Sequence, residues 1–220
     1  MSNKSILYKL MSSNSKAYEE LIFNKKFIEL IKPLHQDSIV LDIGANIGNV
    51  SNFILEKKTC KIFAFEPNKF CFEILARRFI DDDRIKTFNL AISNFSGLSK
   101  LYLHEHSKGI TDFDFIESSS LNNKKDNVSK TNCVEIMVEH ISNILSKFPE
   151  IDLIKIDAEG SEYEIIPFLI DQKNKIKNVL CELHGNPKSR KNKGFSNDYK
   201  KLVKDLKDMN LYNNWFYEWY

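Results

Sequence analysis

Two short segments set ionisable side chains where an apolar run ends: IKIDAEG, carrying Asp157 and Glu159, and LCELH, carrying Glu182 and His184. A carboxylate or an imidazole in such a position can take a proton from a hydroxyl or orient a nucleophile. His184, with an unperturbed pKa near ~6.5, is the natural base, followed by Asp157, and Glu182 can orient either. A structural alternative stands beside this: Asp157 and Glu159 precede a helical pattern whose free amides they could cap, and Glu162 and Glu164 suit its first turn. Asp157, Glu182 and His184 also have the donor types of a divalent-cation site, although no resident metal is expected. His104 and His106 share a strand face, but two histidines without a third ligand are a weak metal signal.

A third segment, VLDIGANIGN (40–49), breaks from an apolar run into a glycine turn at Asp42, Gly44, Asn46 and Gly48. A dinucleotide turn needs a glycine at its second position because the pyrophosphate approaches where a Cβ would collide. Here that position is Asn46, and Gly48 stands one place early for the third glycine. A cofactor without phosphates tolerates this pattern, and S-adenosylmethionine is one. Glu66, in FAFEPN, follows Gly44 by twenty-two positions, a spacing that lets a carboxylate at a strand end accept ribose hydroxyls. That feature serves NAD and S-adenosylmethionine equally, so Asn46 alone argues against a nicotinamide-dependent oxidoreductase. Taken without Glu66, the glycine pattern is read equally well as an ordinary strand-to-helix turn.

The elements that must position these groups alternate in type from residue 38 onward. Strands are expected at 39–43, 61–65, 85–92, 151–156 and 178–183, with helices near Ile47–Glu56, Lys69–Phe79 and Glu162–Gln172. This order predicts a parallel sheet covered by helices, its first three strands being successive neighbours. SGLSKLYLHE and CVEIMV alternate as an antiparallel insertion at the rim. The polar stretch between them, within a mobile insertion at 106–132, reads as loop over Ser118–Asn132. Upstream, Leu21, Ile22, Ile28 and Ile31 form a helical stripe ending at Pro33, so residues 1–37 are expected to be a helical cap on a domain at 38–220. NDYKKLVKDLKDM reads as an amphipathic helix, and LYNNWFYEWY as a terminal strand whose aromatics pack the core or stack on a sugar. Its edge is a candidate for pairing with a second copy.

The chain has 220 residues, 42% of them apolar and 12% aromatic, enough for one substantial core. Lysine and arginine (32) nearly balance aspartate and glutamate (30), so the overall field gives no argument for nucleic acid. Cys60, Cys71, Cys133 and Cys181 form no C-x-x-C pair, which suits a reducing compartment. No apolar run approaches the ~18 residues of a membrane span, and a cytoplasmic protein is expected. The basic stretch PKSRKNKG (187–194) reads as a solvated loop, with a phosphate or acidic sugar as the alternative.

VLDIGANIGN, FAFEPN, FNLAISNFSG, IDLIKIDAEGSEYEII and CELH, in this order, resemble the FkbM-type S-adenosylmethionine-dependent methyltransferases. The resemblance covers Ile39 to His184, and the pair DIGANIG and KIDAEGSE is its specific part. It implies a class I methyltransferase fold: a Rossmann-like three-layer α/β sandwich with a seven-stranded, mostly parallel sheet and an antiparallel edge. It further implies O-methylation of sugar or polyketide-type hydroxyls. Asp42, Gly44, Asn46 and Gly48 would line the methionine end of the cofactor, with Asp42 facing its ammonium group. Glu66 would take the ribose, and Ala91 or Asn89 would lie near the adenine. Asp157, Glu159, Glu182 and His184 would face the transferred methyl group. Two departures stand out: His140 occupies the place of an expected acid, and only one strand candidate follows the last helix where two belong.

Methyl transfer from a sulfonium to oxygen is an in-line displacement that requires alignment and proton removal. The expected acceptor is a small molecule or glycan. Lys155 lies in phase with Asp157, which raises ribose methylation of nucleic acid as an alternative. Its depth in the sheet instead predicts that it neutralises buried acids. The non-enzymatic alternative is a cofactor-binding or interaction module without turnover.

Overall fold

The computed structural model describes residues 24–112, 119–187 and 193–219. In chain order the strands are β1 Ile39–Ile43, β2 Lys61–Phe65, β3 Ile85–Phe88, β4 Ala91–Ser93, β5 Gly97–His104, β6 Val128–His140, β7 Leu153–Ile156, β8 Val179–Glu182 and β9 Phe216–Trp219. The α-helices are α1 Lys25–Ile31, α2 Asn49–Lys57, α3 Lys69–Arg78, α4 Ile141–Leu145, α5 Glu162–Asp171 and α6 Ser196–Asp208. The main sheet runs β3-β2-β1-β7-β8-β9, and every neighbouring pair in it is parallel.

The strands β1 (IVLDI) and β7 (LIKI) are apolar almost throughout because both faces of this sheet are covered. Val40, Ile62, Ala64, Leu153 and Leu180 pack on one face with Phe27, Ile54 and Leu75 from α1, α2 and α3. Leu41, Ile43, Ile154, Ile156 and Cys181 pack on the other with Ile144, Ile165, Leu169 and Leu206 from α4, α5 and α6. The result is the three-layer α/β sandwich implied by the sequence. The chain starts at β1, moves outward to β3, and returns on the other side of β1 at β7. Ligands of such sheets bind beyond the strand ends at this switch point.

Several elements differ in detail from the sequence reading. The third strand is not continuous over 85–92. It ends at Phe88, where the Asn89 side-chain Nδ2 donates back to the carbonyls of Glu66 (2.9 Å) and Pro67 (3.0 Å), and the chain leaves the main sheet. Ala91–Ser93 then opens a second sheet, ordered β4-β6-β5. The expected antiparallel pair is present as β5 and β6, with Leu98 opposite Met137. It lies in this small sheet and not at the edge of the main one. Val128–Asn132, read as loop, belongs to β6, because β6 continues its pairing past a register shift to His104 opposite Val128.

At the N-terminal side, Leu21 and Ile22 lie outside the described residues. Of the remaining stripe, Ile31 is buried but Ile28 is 39% exposed. The true buried face is Phe27, Leu30, Ile31 and Leu34, spaced at three and four residues. Asn24 caps α1 by accepting from the amides of Lys26 and Phe27. At the other end, β9 pairs in parallel with β8, so among the described residues the main sheet has six strands, one fewer than the resemblance implies. Trp215, Phe216, Tyr217 and Trp219 are all buried, and the indole of Trp215 donates to the Ile176 carbonyl at 2.6 Å. These aromatics are core. Among the described residues no helix is long and apolar enough to cross a membrane.

Candidate active site

The turn after β1 is built on left-handed backbone at Gly44 (φ 76°), Asn46 (φ 51°) and Gly48 (φ 84°). A Cβ on Gly44 would stand 1.8 Å from the carbonyl oxygen of Asp157, so glycine lets the turn press against the end of β7. Every amide from Gly44 to Gly48 is already used. Those of Gly44 and Ala45 donate to the Phe65 carbonyl, and that of Gly48 to Ala45. The Asn46 amide donates to Glu66 Oε2 at 2.8 Å, and the Ile47 amide to Asn46 Oδ1 at 2.7 Å. A phosphate cradle depends on such amides being free. Here they are spent, and a carboxylate lies among them.

Glu66 also accepts from the Asn68 amide at 2.8 Å. Burial pushes its carboxyl up to about 7, against the downward pull of these two amides. Asn89 reaches the Glu66 carbonyl and so stands beside it. Ala91, 4% exposed, packs into the core of the small sheet with Leu101, Ile136 and Val138. Asp42 lies beneath the turn and is fully buried. One oxygen accepts from Ser51 Oγ at 2.7 Å, and the other pairs with Lys155 Nζ at 3.1 Å. Its carboxylate thus faces protein partners, where the resemblance had implied a ligand's ammonium group. Lys155 donates as well to the Gly44 carbonyl at 2.7 Å, and its pairing with Asp42 is the neutralisation of buried acid expected of it.

At the ends of β7 and β8 the carboxylates converge on an imidazole. His184 Nε2 is 2.9 Å from Glu159 Oε2, and Nδ1 is 2.7 Å from Glu162 Oε1. The His184 amide donates to the same Glu162 oxygen at 2.9 Å, while Glu162 Oε2 accepts from the Gly160 amide at 2.7 Å. Burial would lower the His184 pKa, but Glu159 and Glu162 outweigh it and hold the ring well above its ordinary value. With both nitrogens donating, the imidazolium offers no lone pair. This arrangement speaks against His184 as the proton acceptor and makes it a clamp between two acids.

Asp157 and Glu182 are carboxyls shifted upward. Burial is the main cause raising both carboxyls. Lys155 opposes it at Asp157, and the Asp157 charge reinforces it at Glu182, which is pushed up to about 8. Asp157 Oδ1 is buried without a hydrogen-bond partner among the described residues. Glu159 differs: burial raises it, but Lys125 and His184 prevail and hold it at about 2.

Lys125 comes from the segment read as uninformative loop. It is 3% exposed, and its ammonium contacts Glu159 Oε2 directly. The sequence reading missed this residue, since a lysine in SLNNKKDN carries no periodic or motif signal. Glu162 was visible only as a helix-start residue; its bond to His184 spans twenty-two positions. His140 caps α4, its Nδ1 accepting from the Ser142 amide at 3.0 Å, and its ring meets Phe168 edge-on.

Donor atoms of Asp157, Glu159 and His184 lie within 4.8 Å of one another. They are committed, however, since Glu159 serves two cations and His184 uses both nitrogens. A divalent ion would have to displace Lys125 and a ring proton, so the set is better described as an ion-pair cluster. Most of the expected residues are linked by contacts: the Gly44 turn touches Asp157 and reaches Glu66 and, through it, Asn89, while Asp157 lies close to Glu159 and His184. Asp42 and Ala91 are buried, Asp42 beneath the turn and Ala91 in the core of the small sheet.

A family profile for the methyltransferase FkbM domain matches residues 42–212. The chain belongs to this family. The FkbM match runs from the glycine turn through the carboxylate cluster and α6 to the approach of β9. Methyltransferase sdnD of Sordaria araneosa is 24% identical over 196 residues, 76% of this chain and 76% of its own length. Methyltransferase 1 of Beauveria bassiana (strain ARSEF 2860) is 25% identical over 192 residues, 74% of this chain and 73% of its own. A solved candidate RNA methyltransferase of Pyrococcus horikoshii, 11% identical, aligns over 93% of this chain and 81% of its own with a TM-score of 0.43.

Proposed function

We propose that this methyltransferase binds S-adenosylmethionine at the Gly44–Gly48 turn and delivers its methyl group to a hydroxyl of a sugar, glycan or similarly hydroxyl-rich metabolite. One observation carries the reading: a turn whose amides are all spent, with Glu66 among them, abuts the Asp157 carbonyl. Such a turn suits a nucleoside without phosphates and sets the reacting end of that nucleoside beside a carboxylate. The cofactor supplies an electrophilic methyl group on a sulfonium. Glu66 accepts the ribose hydroxyls with its remaining lone pairs, and Asn89 fixes the adjoining strand end. Asp157, backed by Glu182, takes the acceptor's hydroxyl proton as the new bond forms. His184 holds Glu159 and Glu162 in place. Asp157 and Glu182, the two carboxyls of the cluster not held by His184 or Lys125, suit an acceptor with more than one hydroxyl to donate. Residues 24–37, with α1 and Leu34 packed on one face of the sheet, cap the catalytic domain, 38–220.

Calorimetry with S-adenosylmethionine and NAD, on wild type and Glu66→Ala, tests the cofactor. Binding of S-adenosylmethionine to wild type is expected, weakened about ten-fold or more by Glu66→Ala through loss of charge-assisted hydrogen bonds. Binding of NAD in its place would overturn the reading. Labelled methyl transfer to a panel of glycosides, with Asp157→Asn as the inactive control, tests the acceptor class.

A further inference from the structure

The segment 119–127 is seated on the site, not hung beside it. Ser120 pairs with Tyr102 of β5, and its hydroxyl donates to the Glu159 carbonyl at 2.5 Å. A Cβ on Gly194 would stand 2.3 Å from the Lys124 carbonyl, so the chain before α6 closes against the same segment. Between these contacts Lys125 is buried with its ammonium on Glu159. The Glu159 carboxylate lies within 4.8 Å of the Asp157 and His184 donor atoms, and Asp157 touches the cofactor turn through its carbonyl. The charge on Glu159 therefore lies beside the strand end to which the functional reading assigns the transferred methyl group.

We propose that Lys125 is a specificity residue that balances Glu159 and thereby sets the site's preference between the cationic methyl donor and its neutral demethylated product. The inference rests on the functional reading above. S-adenosylmethionine carries a sulfonium charge that S-adenosylhomocysteine lacks, and otherwise the two present nearly the same surface. With Lys125 neutral, Glu159 keeps only the His184 imidazolium, which it shares with Glu162, and the negative charge left over attracts only the former. The other charged groups facing this point are Asp157, Glu162, Glu182, His184 and Lys155, and all of them are present in wild type and in the Lys125 variants alike. Lys125 opposes the acids through its contact with Glu159, lowering the hold on the donor relative to the product.

The test is a pair of dissociation constants by calorimetry, for S-adenosylmethionine and S-adenosylhomocysteine, on the full chain. Lys125→Gln keeps a hydrogen-bond donor for Glu159 but removes the charge. Lys125→Met is a second neutral variant should the first fold poorly, and Lys125→Arg restores the charge. Both neutral variants are expected to shift the ratio of the two constants about ten-fold toward S-adenosylmethionine, the order for one charge removed a few ångströms away in a partly screened site. The arginine variant is expected to keep the wild-type ratio. A loosened segment would move both constants together, so an unchanged ratio overturns the inference, as does an opposite shift or the same shift with arginine. If wild type binds neither compound, it is the functional reading that fails.

Discussion

Glu159 and Glu162 approach one imidazole from its two nitrogens, and this sharing determines what His184 can do. A free imidazole would serve as a base, but an imidazolium held at 2.7 and 2.9 Å by carboxylates is an electrostatic brace. Replacing it leaves Glu162 buried and Glu159 partly buried without their common counter-charge. His184→Ala is therefore expected to cost on the order of 3 kcal/mol of stability, the low end for breaking a buried pair because Glu159 retains some solvent. Urea unfolding checks it. A second substitution, Glu162→Gln, should recover part of the loss. A variant of wild-type stability without turnover would return His184 to the role of base.

At the scale of elements, His140 shows how a residue that looks chemical can be structural. It caps α4 through Nδ1, and His140→Ala should lower stability by about 1 kcal/mol, the usual worth of a side-chain cap. Methyl transfer at saturating substrate should be unchanged, and a fall in turnover comparable to that of Asp157→Asn would contradict this. The same contrast separates what the sequence reveals from what it hides. The runs β1, β2, β7 and β8 were legible because strands covered on both faces must be apolar, and their ends are marked by Asp, Glu and Gly. The break at Asn89 was not, because IKTFNLAI keeps its apolar character while the Asn89 side chain turns the backbone away. Lys125 was hidden for a different reason: it gains its role from Glu159, thirty-four positions away, and nothing in its own segment signals that partner. Enclosed Asp42 and Ala91 sit at motif positions, and a motif fixes an address along the chain but not which way a side chain faces.

For the whole molecule, the formal net charge of +2 at pH 7 is small, so global repulsion contributes little and the pH dependence of stability falls to the site. Glu66 and Glu182 have folded values of about 7 and about 8, above the ordinary carboxylate value of 4.5. The stability linked to their bound protons is fully present below 4.5 and is lost as pH rises through those values. His184 acts in the same direction: raised above 6.5, it contributes fully below that pH and less as pH climbs toward its folded value. Glu159 has the opposite sign, its contribution being present above 4.5 and lost as pH falls through about 2. Together these place maximal stability near pH 4 to 5 and predict that the urea midpoint declines steadily from there to pH 8 and beyond. Glu182→Gln should flatten the decline toward pH 8, since an amide has no proton to lose. Transfer that uses Asp157 and Glu182 as proton acceptors needs them ionised, so turnover should increase over the range in which the fold weakens. A urea midpoint that climbs between pH 5 and pH 8 would show that the carboxylates are solvated at rest, and would remove the electrostatic basis for assigning them the proton.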